Sequence, residues 1–406
     1  MIFIDLLYIF FFSVMIFSAV LWGIVYYANL DKIKKDPPVD RTRRVTILVP
    51  AYNEEDCVGE TIQRLLDIDY PDDAYNIIAI NDGSEDGTLE ILKGFGDQIE
   101  IIDKKNTGKA DSMNVALKRV DTELVASMDA DSYPNEDFLK NMVGYFKDEG
   151  VSGVTPALKL MRDENLVEKI QWTEYIYQIF LRKIFALFDV QYVLPGPGSV
   201  YRTDFLKETG GWSEDTHTED MEVAFRMMSE KKKIENTTNS VVWTDPPSTF
   251  RDLFKQRTRW YRGYVENFVK YRGMFMDRES GNLGVFFLPL NAIWIFMLVF
   301  LLTHVTYNLL LMGYQAVQTY MLLGYYPIDL TLTLQEIHLF HLFICFFVLV
   351  GLGMIFLSLF SAGEKINIKK RWLNYLTFFT IYPYMFAMFW VATFFEIART
   401  RGKIKW

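Results

Sequence analysis

The sequence is poor in the residues that build disulfide or zinc frameworks. It contains two cysteines and four histidines among 406 residues. Cys57 lies in a polar region and Cys345 in an apolar run, so neither a disulfide network nor a zinc spacing is present. An excess of positive charge is also lacking, because the net charge is -9. The chain therefore has no global cationic surface for a polyphosphate backbone, and nucleic acid is not expected as a partner.

Apolar residues are abundant instead. Half of the residues are hydrophobic and 16% are aromatic, and the mean hydropathy of +0.08 is high for a wholly soluble protein. Residues 3–28 form an apolar run that exceeds the ~20 residues needed to cross the hydrocarbon core as a helix. Lysines and arginines follow this run directly, and the positive-inside tendency places them in the cytoplasm. We predict an uncleaved membrane anchor over residues 1–30, with its N-terminus outside.

Short β-branched runs alternate with helical patterns from residue 45 onward. The predicted strands are Val45–Val49, Asn76–Ile80, Ile99–Ile102 and Glu123–Met128, and the predicted helices are Glu55–Leu66, Thr88–Phe95, Ala110–Val120 and Glu136–Phe146. This alternation predicts an α/β fold with a parallel sheet, whose ligands bind beyond the carboxyl ends of the strands. We assign residues 45–250 to this domain and place its acceptor half from about residue 150.

Three apolar runs follow this domain, and each is long enough to span a bilayer. They are residues 284–312, 338–360 and 373–397. The stretch 313–337 carries Pro327 and several polar residues, so an outer loop or interfacial helix is expected there. Residues 251–282 are predicted to form amphipathic helices at the membrane interface.

The basic clusters near the C-terminus conflict with three simple spans. Such spans place residues 365–371 inside, as expected, but leave the arginines and lysines of residues 399–405 outside. A last segment that is bent near Pro383 and re-enters the membrane resolves the conflict, and so does an interfacial helix. The sequence leaves both alternatives open.

Polar motifs follow the first two predicted strands. Tyr52 and Glu54 come after the first strand, and Asp82 comes after the second. A ring and carboxylates at adjacent strand ends can hold a nucleoside base by stacking and hydrogen bonding, although turn chemistry and helix capping account for the same residues. Lys109 opens the next helix, where a lysine and free amides suit a phosphate. A basic residue at an exposed helix start is equally common.

A pair of carboxylates, Asp129 and Asp131, leaves the strand that ends near residue 128. Carboxylates at this position can bind Mn²⁺ or Mg²⁺ that also holds a diphosphate. Asp67 and Asp69 have the same spacing but lie at a helix end, where a solvated turn is the better explanation. The position at a strand end, rather than the spacing, therefore points to a metal.

Three motifs of the acceptor half also carry polar chemistry. A Gly-Pro-Gly loop is followed by Ser199, which we assign to the acceptor site. Asp220 of a Thr-Glu-Asp sequence begins a helical pattern, where capping of the helix is the simpler explanation for an acid. Gln256, Arg259 and Trp260 lie in a basic segment that also suits an amphipathic helix on anionic headgroups.

In order and spacing, these motifs resemble the family 2 glycosyltransferases with the GT-A fold, and more narrowly the membrane-bound synthases of cellulose, chitin, hyaluronan and poly-N-acetylglucosamine. The resemblance runs from about Val45 to Trp260. The roles it implies are nucleoside binding by Tyr52, Glu54 and Asp82, a place near the nucleotide for Lys109, nucleotide and metal binding by Asp129 and Asp131, base catalysis by Asp220, acceptor binding by Gln256 and Trp260, and diphosphate binding by Arg259. Asn81 departs from the pattern, because several synthases carry a second Asp there.

The resemblance implies inverting transfer of a sugar from a UDP-sugar to a growing polysaccharide at the cytoplasmic face of the cell membrane, coupled to export. The alternative is transfer of a single sugar to a polyprenyl phosphate or a lipid-linked oligosaccharide. A non-enzymatic membrane protein with a degenerate nucleotide fold is disfavoured by the intact Asp129, Asp131 and Asp220. The expected partners are a nucleotide-sugar, a glycan or lipid-linked acceptor and the bilayer, whereas self-association and accessory subunits stay open.

Overall fold

The computed structural model describes residues 2–325 and 339–400. The helices and strands up to the middle of the chain are α1 (Ile2–Ala28), α2 (Leu30–Lys34), β1 (Val45–Ala51), α3 (Val58–Leu66), β2 (Tyr75–Asp82), α4 (Thr88–Lys93), β3 (Glu100–Lys104), α5 (Lys109–Leu117), β4 (Leu124–Ser127), β5 (Ser132–Pro134), α6 (Lys140–Val143), β6 (Val151–Leu160) and α7 (Leu166–Leu187). The later ones are β7 (Val200–Arg202), α8 (Thr203–Thr209), α9 (Glu219–Ser229), β8 (Lys233–Thr244), α10 (Phe250–Lys270), α11 (Leu288–Leu323), α12 (Leu339–Ser361), α13 (Ile368–Thr380) and α14 (Tyr382–Thr400).

Eight strands form one sheet in the order β3-β2-β1-β4-β7-β6-β8-β5. The first four pair in parallel, which confirms the predicted α/β arrangement. β7 is antiparallel to both of its neighbours, β6 and β8 are parallel, and β5 is antiparallel to β8. The half of the sheet beyond β4 is therefore mixed, and strand–helix alternation alone does not predict this pairing.

Residues of β1 show why this sheet is covered on both faces. Ile47 and Val49 belong to one buried cluster, which includes α3, whereas Leu48 belongs to another, which includes α5. Successive strand residues point to opposite faces, so a continuous apolar run serves two helical layers. This arrangement leaves the carboxyl ends of β1, β2 and β4 as the open edge where polar loops meet.

All four helices predicted between residues 55 and 146 are shorter than expected. The first begins at Val58 because residues 54–57 form a turn, closed by a hydrogen bond from Cys57 N to Glu54 O. The helix predicted over Glu136–Phe146 is limited to α6 and a 3-10 turn at Gly144–Lys147. A side chain at Gly144 would overlap the carbonyl group of Pro37, so this segment is shaped by close packing against the chain after α2.

Two helices of the described chain are long and apolar enough to cross a membrane, Phe3–Ala28 and Leu283–Leu323. The second continues past residue 312, so residues 313–323 are helical, and the loop alternative for this stretch is wrong as far as Leu323. No proline occurs between residues 313 and 323, and the helix ends at Gly324 in the left-handed conformation (φ 72°). The rest of the predicted loop, residues 326–337, lies outside the described residues.

A bend near Pro383, which was one of the two alternatives for the last apolar segment, is present. α13 and α14 are inclined by 43° across a break at Ile381, and together they are long and apolar enough for one span. Pro383 lacks an N–H group and is tolerated in the first turn of α14. Ion pairs connect α13 and α14 to earlier parts of the chain, and one such ion pair lies near each end of this helical segment. These are Arg371–Asp163 (2.5 Å) near the start of α13 and Arg262–Glu396 (2.9 Å) near the end of α14.

Candidate active site

The loops after β1 and β2 are joined by hydrogen bonds. Asn53 has a positive φ of 55°, which asparagine tolerates better than most residues. Its backbone N–H donates to Ser84 Oγ (3.1 Å), and its side-chain oxygen accepts from Glu85 N (2.8 Å). Tyr52 lies at the rim of this joint with 45% of its surface exposed. Its ring is therefore accessible for stacking on a base.

Asp82 at the end of β2 is buried, and its carboxylate is engaged by the protein itself. It accepts from Lys104 Nζ (2.7 Å), Thr107 N (3.0 Å) and Gly108 N (2.8 Å). Burial opposes ionisation, but the lysine and these bonds hold the pKa of Asp82 below its usual range. Asp82 secures the loop that leads into α5. This arrangement favours a role in positioning Lys109 rather than the predicted contact with the nucleoside.

Asn81, the departure from the synthase pattern, also has an internal role. Its amide nitrogen donates to Asp103 Oδ1 on the neighbouring strand β3 (2.7 Å), and its oxygen accepts from Ser84 N (3.2 Å). A second carboxylate at this position would face Asp103 directly and repel it. An amide therefore suits this pairing of β2 with β3.

Three carboxylates converge beside these loops. Burial, together with the charges of Asp129 and Glu54, raises the pKa of Asp131 to about 6. Burial, followed by smaller contributions that include Asp129, also raises the pKa of Glu54. Glu54 thus belongs to the same acidic group as the Asp129–Asp131 pair, from which it is separated by more than 70 residues of chain.

The acidic group fits a divalent cation that is held in part by its substrate. Among residues 2–325 and 339–400, no set of three acidic, histidine or cysteine side chains has the arrangement of a complete metal site. Mg²⁺ and similar hard cations often use one or two carboxylates, with phosphate oxygens and water completing the shell. Asp129 and Asp131 would supply the protein ligands, and the cation would relieve their mutual repulsion.

Lys109 connects the two halves of the site. Its ammonium lies 2.5 Å from Asp129 Oδ1 and 3.4 Å from Glu219 Oε1. Burial alone would lower the pKa of Lys109, but Asp129 and Glu219 raise it, so the side chain stays charged. Gly196 makes the approach possible, because a Cβ there would overlap the Lys109 ammonium.

Asp220 lies in the first turn of α9, where its Oδ1 accepts from Met221 N (2.8 Å). Burial raises its pKa to about 6, Glu219 adds to the increase, and Lys109 and Arg259 oppose it. The charges of Lys109 and Arg259 therefore both favour the ionised form of Asp220. A carboxylate with such a pKa is suited to accept a proton near neutral pH.

The Gln-x-x-Arg-Trp motif lies on α10. Arg259 is exposed and Trp260 is half-buried. Arg257, between Gln256 and these residues, is fully buried and forms an ion pair with Glu174 of α7 (2.8 Å). Neither Arg257 nor Glu174 was singled out from the sequence, because their pairing joins positions 83 residues apart.

Two residues that were predicted to lie in the acceptor site, Ser199 and Gln256, form hydrogen bonds within the protein instead. Ser199 is fully buried, and its hydroxyl donates to Pro195 O (2.6 Å) inside the loop. This geometry opposes its assignment to the acceptor site, and we replace it with a role in holding the Gly-Pro-Gly loop. Gln256 keeps some accessible surface, although its side-chain oxygen accepts from Arg257 (2.6 Å).

α10 is packed closely on the loop that carries the Thr-Glu-Asp sequence. A Cβ at Gly263 would overlap the side chain of Thr218. Asn267, one turn further on, donates to Thr218 Oγ1 (3.1 Å), and Glu266 accepts from His217. The sequence signal for this contact was a glycine inside a helical pattern, which often marks a close approach. The helix bearing Trp260 and the loop bearing Asp220 thus form one packed unit.

Comparisons with known proteins agree with this geometry. Residues 42–263 match the model of the family described as glycosyltransferase like family 2. Poly-β-1,6-N-acetyl-D-glucosamine synthase of Staphylococcus aureus is 27% identical over 301 residues, covering 70% of this chain and 72% of the relative. The Staphylococcus epidermidis synthase of the same name is 28% identical over 318 residues, covering 73% and 75%.

A solved structure shares the fold across nearly the whole length. It is a mannosyltransferase from Pyrobaculum calidifontis in complex with GDP-Man and Mn²⁺, with a TM-score of 0.56 and 17% identity, covering 95% of this chain and 99% of the other. The mixed sheet with its acidic strand-end site defines a GT-A glycosyltransferase. Because the family match covers more than half of the chain, the protein belongs to glycosyltransferase family 2, and it is an enzyme of the synthase type.

Proposed function

We propose that this enzyme transfers a sugar from a UDP-sugar to the end of a growing polysaccharide, with inversion at the anomeric carbon. The carrying observation is that Lys109 lies within 2.5 Å of Asp129 and 3.4 Å of Glu219. This one cation joins the acidic group at the strand ends to the loop that bears Asp220. A donor diphosphate and an acceptor hydroxyl can therefore meet at this point.

On the donor side, Tyr52 stacks on the base and Glu54 lies beside it. Asp129 and Asp131 would hold Mn²⁺ or Mg²⁺, which would supply charge neutralisation for the departing diphosphate. Lys109 and Arg259 add positive charge on the side facing Asp220, where negative charge develops as the donor bond breaks. Asp82 contributes by keeping the loop before Lys109 in place.

On the acceptor side, Asp220 takes the proton of the attacking hydroxyl. The acceptor oxygen forms a bond to the anomeric carbon, and the bond from that carbon to the diphosphate oxygen breaks, with its electron pair leaving on the nucleoside diphosphate. The raised pKa of Asp220 suits this exchange. Trp260 supplies an indole face for the apolar face of the acceptor sugar.

We further propose that the enzyme is a multi-pass membrane protein with its catalytic domain in the cytoplasm. α1 and α11 cross the bilayer, α12 returns, and the α13–α14 pair stays on the catalytic side. Lys159 holds Ala362 and Glu364 just before α13 (2.8 and 2.9 Å), and Arg262 holds Glu396 near the end of α14. With both ends on one side, the two basic clusters near the C-terminus can both face the cytoplasm.

The function is tested by incubating the purified enzyme in lipid with UDP- and GDP-sugars and Mn²⁺, and sizing the products. UDP-N-acetylglucosamine is the first donor to test, because the relatives named above are poly-β-1,6-N-acetyl-D-glucosamine synthases. A long polymer or a ladder of lengths supports the proposal. Absence of product with every donor would contradict it.

A second candidate is transfer of one sugar to a polyprenyl phosphate. The mannosyltransferase fold neighbour covers this chain almost completely, so the helices after the catalytic domain do not by themselves demand a polymer. A single product that extracts with lipid would favour this candidate. We rank it second because the Arg257 guanidinium supports the half-buried Trp260 ring as a platform for a sugar, which a lipid phosphate does not require.

A further inference from the structure

A polar stripe runs along α7 in an otherwise mainly apolar helix. Glu174, Gln178 and Arg182 are spaced four residues apart and therefore lie on one face. Gln178 Nε2 donates to Glu174 Oε1 (3.0 Å), and Arg182 Nη2 donates to Gln178 Oε1 (3.0 Å). Glu174 continues the chain through its ion pair with Arg257 of α10 (2.8 Å). The stripe thus leads from the helix that bears Trp260 to Arg182.

Arg182 has no carboxylate partner of its own within this stripe. Glu174 is the carboxylate that pairs with Arg257, whereas the described residues provide Arg182 with an amide oxygen and no ion pair. A guanidinium has five N–H donors. Arg182 keeps some accessible surface, so its unused donors are open to a further partner. A cation in this position calls for a further oxygen-rich partner.

Arg182 lies near the segments that carry Asp220 and Trp260, because Phe185, three residues further along α7, packs against Tyr192. Burial lowers the pKa of Arg182, and Tyr175, Tyr192 and Asp220 are close enough to raise it again. Tyr192 packs against Phe225 of α9 and Tyr264 of α10. Arg182 is therefore next to the elements that carry the proposed base and the proposed acceptor platform, and the direct contacts of the acidic donor group do not include it.

We propose that Arg182 is an acceptor-binding residue that holds the glycan beyond the sugar stacked on Trp260, with Gln178 orienting its guanidinium. Sugar hydroxyls and an N-acetyl carbonyl are hydrogen-bond acceptors that match its unused donors. This inference rests on the proposed function, because it takes the acceptor to be a glycan. A phosphate of a lipid acceptor has the same acceptor chemistry, and the experiment separates the two.

The test compares Arg182→Gln, Arg182→Lys and Lys183→Gln. Lys183 is the neighbouring cation on α7, is buried and is bound to Asn236 O (2.6 Å) on the sheet side, so its variant reports the effect of lost stability alone. A β-1,6-linked N-acetylglucosamine oligosaccharide serves as primer. The KM for the primer and the Kd for the primer, the latter by calorimetry, are the main measurements. The Kd for UDP, the thermal unfolding temperature and the transfer of sugar to vesicles that contain a polyprenyl phosphate are measured beside them.

We expect Arg182→Gln to raise the KM and Kd for the primer on the order of ten- to a hundredfold, the range of a charge-assisted hydrogen bond. The Kd for UDP should not change, and Arg182→Lys should lie between. The proposal is overturned if primer binding is unchanged, if UDP binding is lost instead, if Lys183→Gln has the same effect, or if only transfer to the lipid phosphate falls. Primer binding is measured without turnover and tests the role of Arg182. The size of the wild-type product tests the proposed polymerisation, so the two proposals can fail independently.

Discussion

The guanidinium of Arg257 lies 4.1 Å from the centre of the Trp260 ring. The same group is fully buried and is anchored by Glu174 and by the side chain of Gln256. A cation on an aromatic face contributes about 0.5–2 kcal/mol, depending on how far it is removed from water. Arg257 therefore fixes the orientation of the indole, so that the accessible part of Trp260 is held in one arrangement.

Trp260→Ala should shorten or abolish the polymer while slow hydrolysis of the donor by water persists. The indole supplies the stacking surface for the acceptor, whereas the donor is held by other residues. Product size and UDP release are the measurements. Trp372→Ala is the matched control, because that indole on α13 is 56% exposed. Product of normal length and rate from Trp260→Ala would make the single-transfer candidate the better one.

Glu174→Gln should destabilise the protein and shorten its product. The amide keeps a hydrogen-bonding group but leaves the charge of Arg257 unpaired, and breaking a buried pair costs about 3–5 kcal/mol. Chemical unfolding in detergent measures the loss. Replacing both residues, as Glu174→Gln with Arg257→Met, should recover much of the stability but not the product length, because Trp260 then has no cation beneath it. Equal instability of the single and double variants would argue against this account.

Asp131→Ala should abolish metal-dependent nucleotide binding and turnover together. The variant removes one of the two carboxylates proposed to hold the cation beside the diphosphate. Calorimetric titration of UDP with and without Mn²⁺ checks this. Asp69→Ala is a control with the same Asp-x-Asp spacing, because Asp69 is exposed and pairs with Lys140 on the surface. Full activity of Asp131→Ala in excess chelator would refute the metal site.

Asp220→Asn should lower turnover by ~10²–10⁴, the range of a general base, with little change in donor affinity. The amide keeps the shape of the side chain and removes its basicity. Asp215→Asn, an exposed acid in the preceding loop, is the control. Loss of donor affinity with normal turnover at saturation would show that Asp220 acts in binding.

The same residue predicts how activity depends on pH. Burial raises the pKa of Asp220 to about 6, so the carboxylate becomes protonated as the pH falls through that value. The rate at saturating donor should therefore fall below about pH 6 and be level above it until another group titrates. Asp220→Asn should lack this acid limb in a profile measured between pH 5 and 8, a window spanning about one to two units on each side of that pKa.

Gly263→Ala should lower the turnover number without loss of UDP binding. The new methyl group would overlap Thr218, which precedes α9, and would push the start of the helix that bears Asp220 away from α10. Adding Thr218→Ala removes most of the overlapping atoms and should restore part of the rate. Gly273→Ala is the control, because a methyl group there meets no neighbouring atom within 4 Å. Wild-type turnover of Gly263→Ala would mean that this packing does not position the base.

Local patterns predicted the donor half of the enzyme well. The parallel pairing of β1, β2 and β4 followed from apolar runs that alternate with helices, and the strand ends indicated where Asp129 and Asp131 lie. These features depend on residues near one another in the chain. The helix predicted over Glu136–Phe146 was wrong in extent because packing of Gly144 against Pro37, more than 100 residues away, shapes that segment.

By itself, the sequence determined the α/β class, the apolar helices and the order of the polar motifs, because each depends on periodicity or residue type over a short stretch. Only the tertiary structure decided how the polar groups are used. In the folded protein, the carboxylate of Asp82 binds Lys104, and the hydroxyl of Ser199 is buried. Arg257 lies between Glu174 and Trp260, and Arg182 has no ion pair among the described residues. The physical reason is that a side chain's partners are set by which distant segments pack against it.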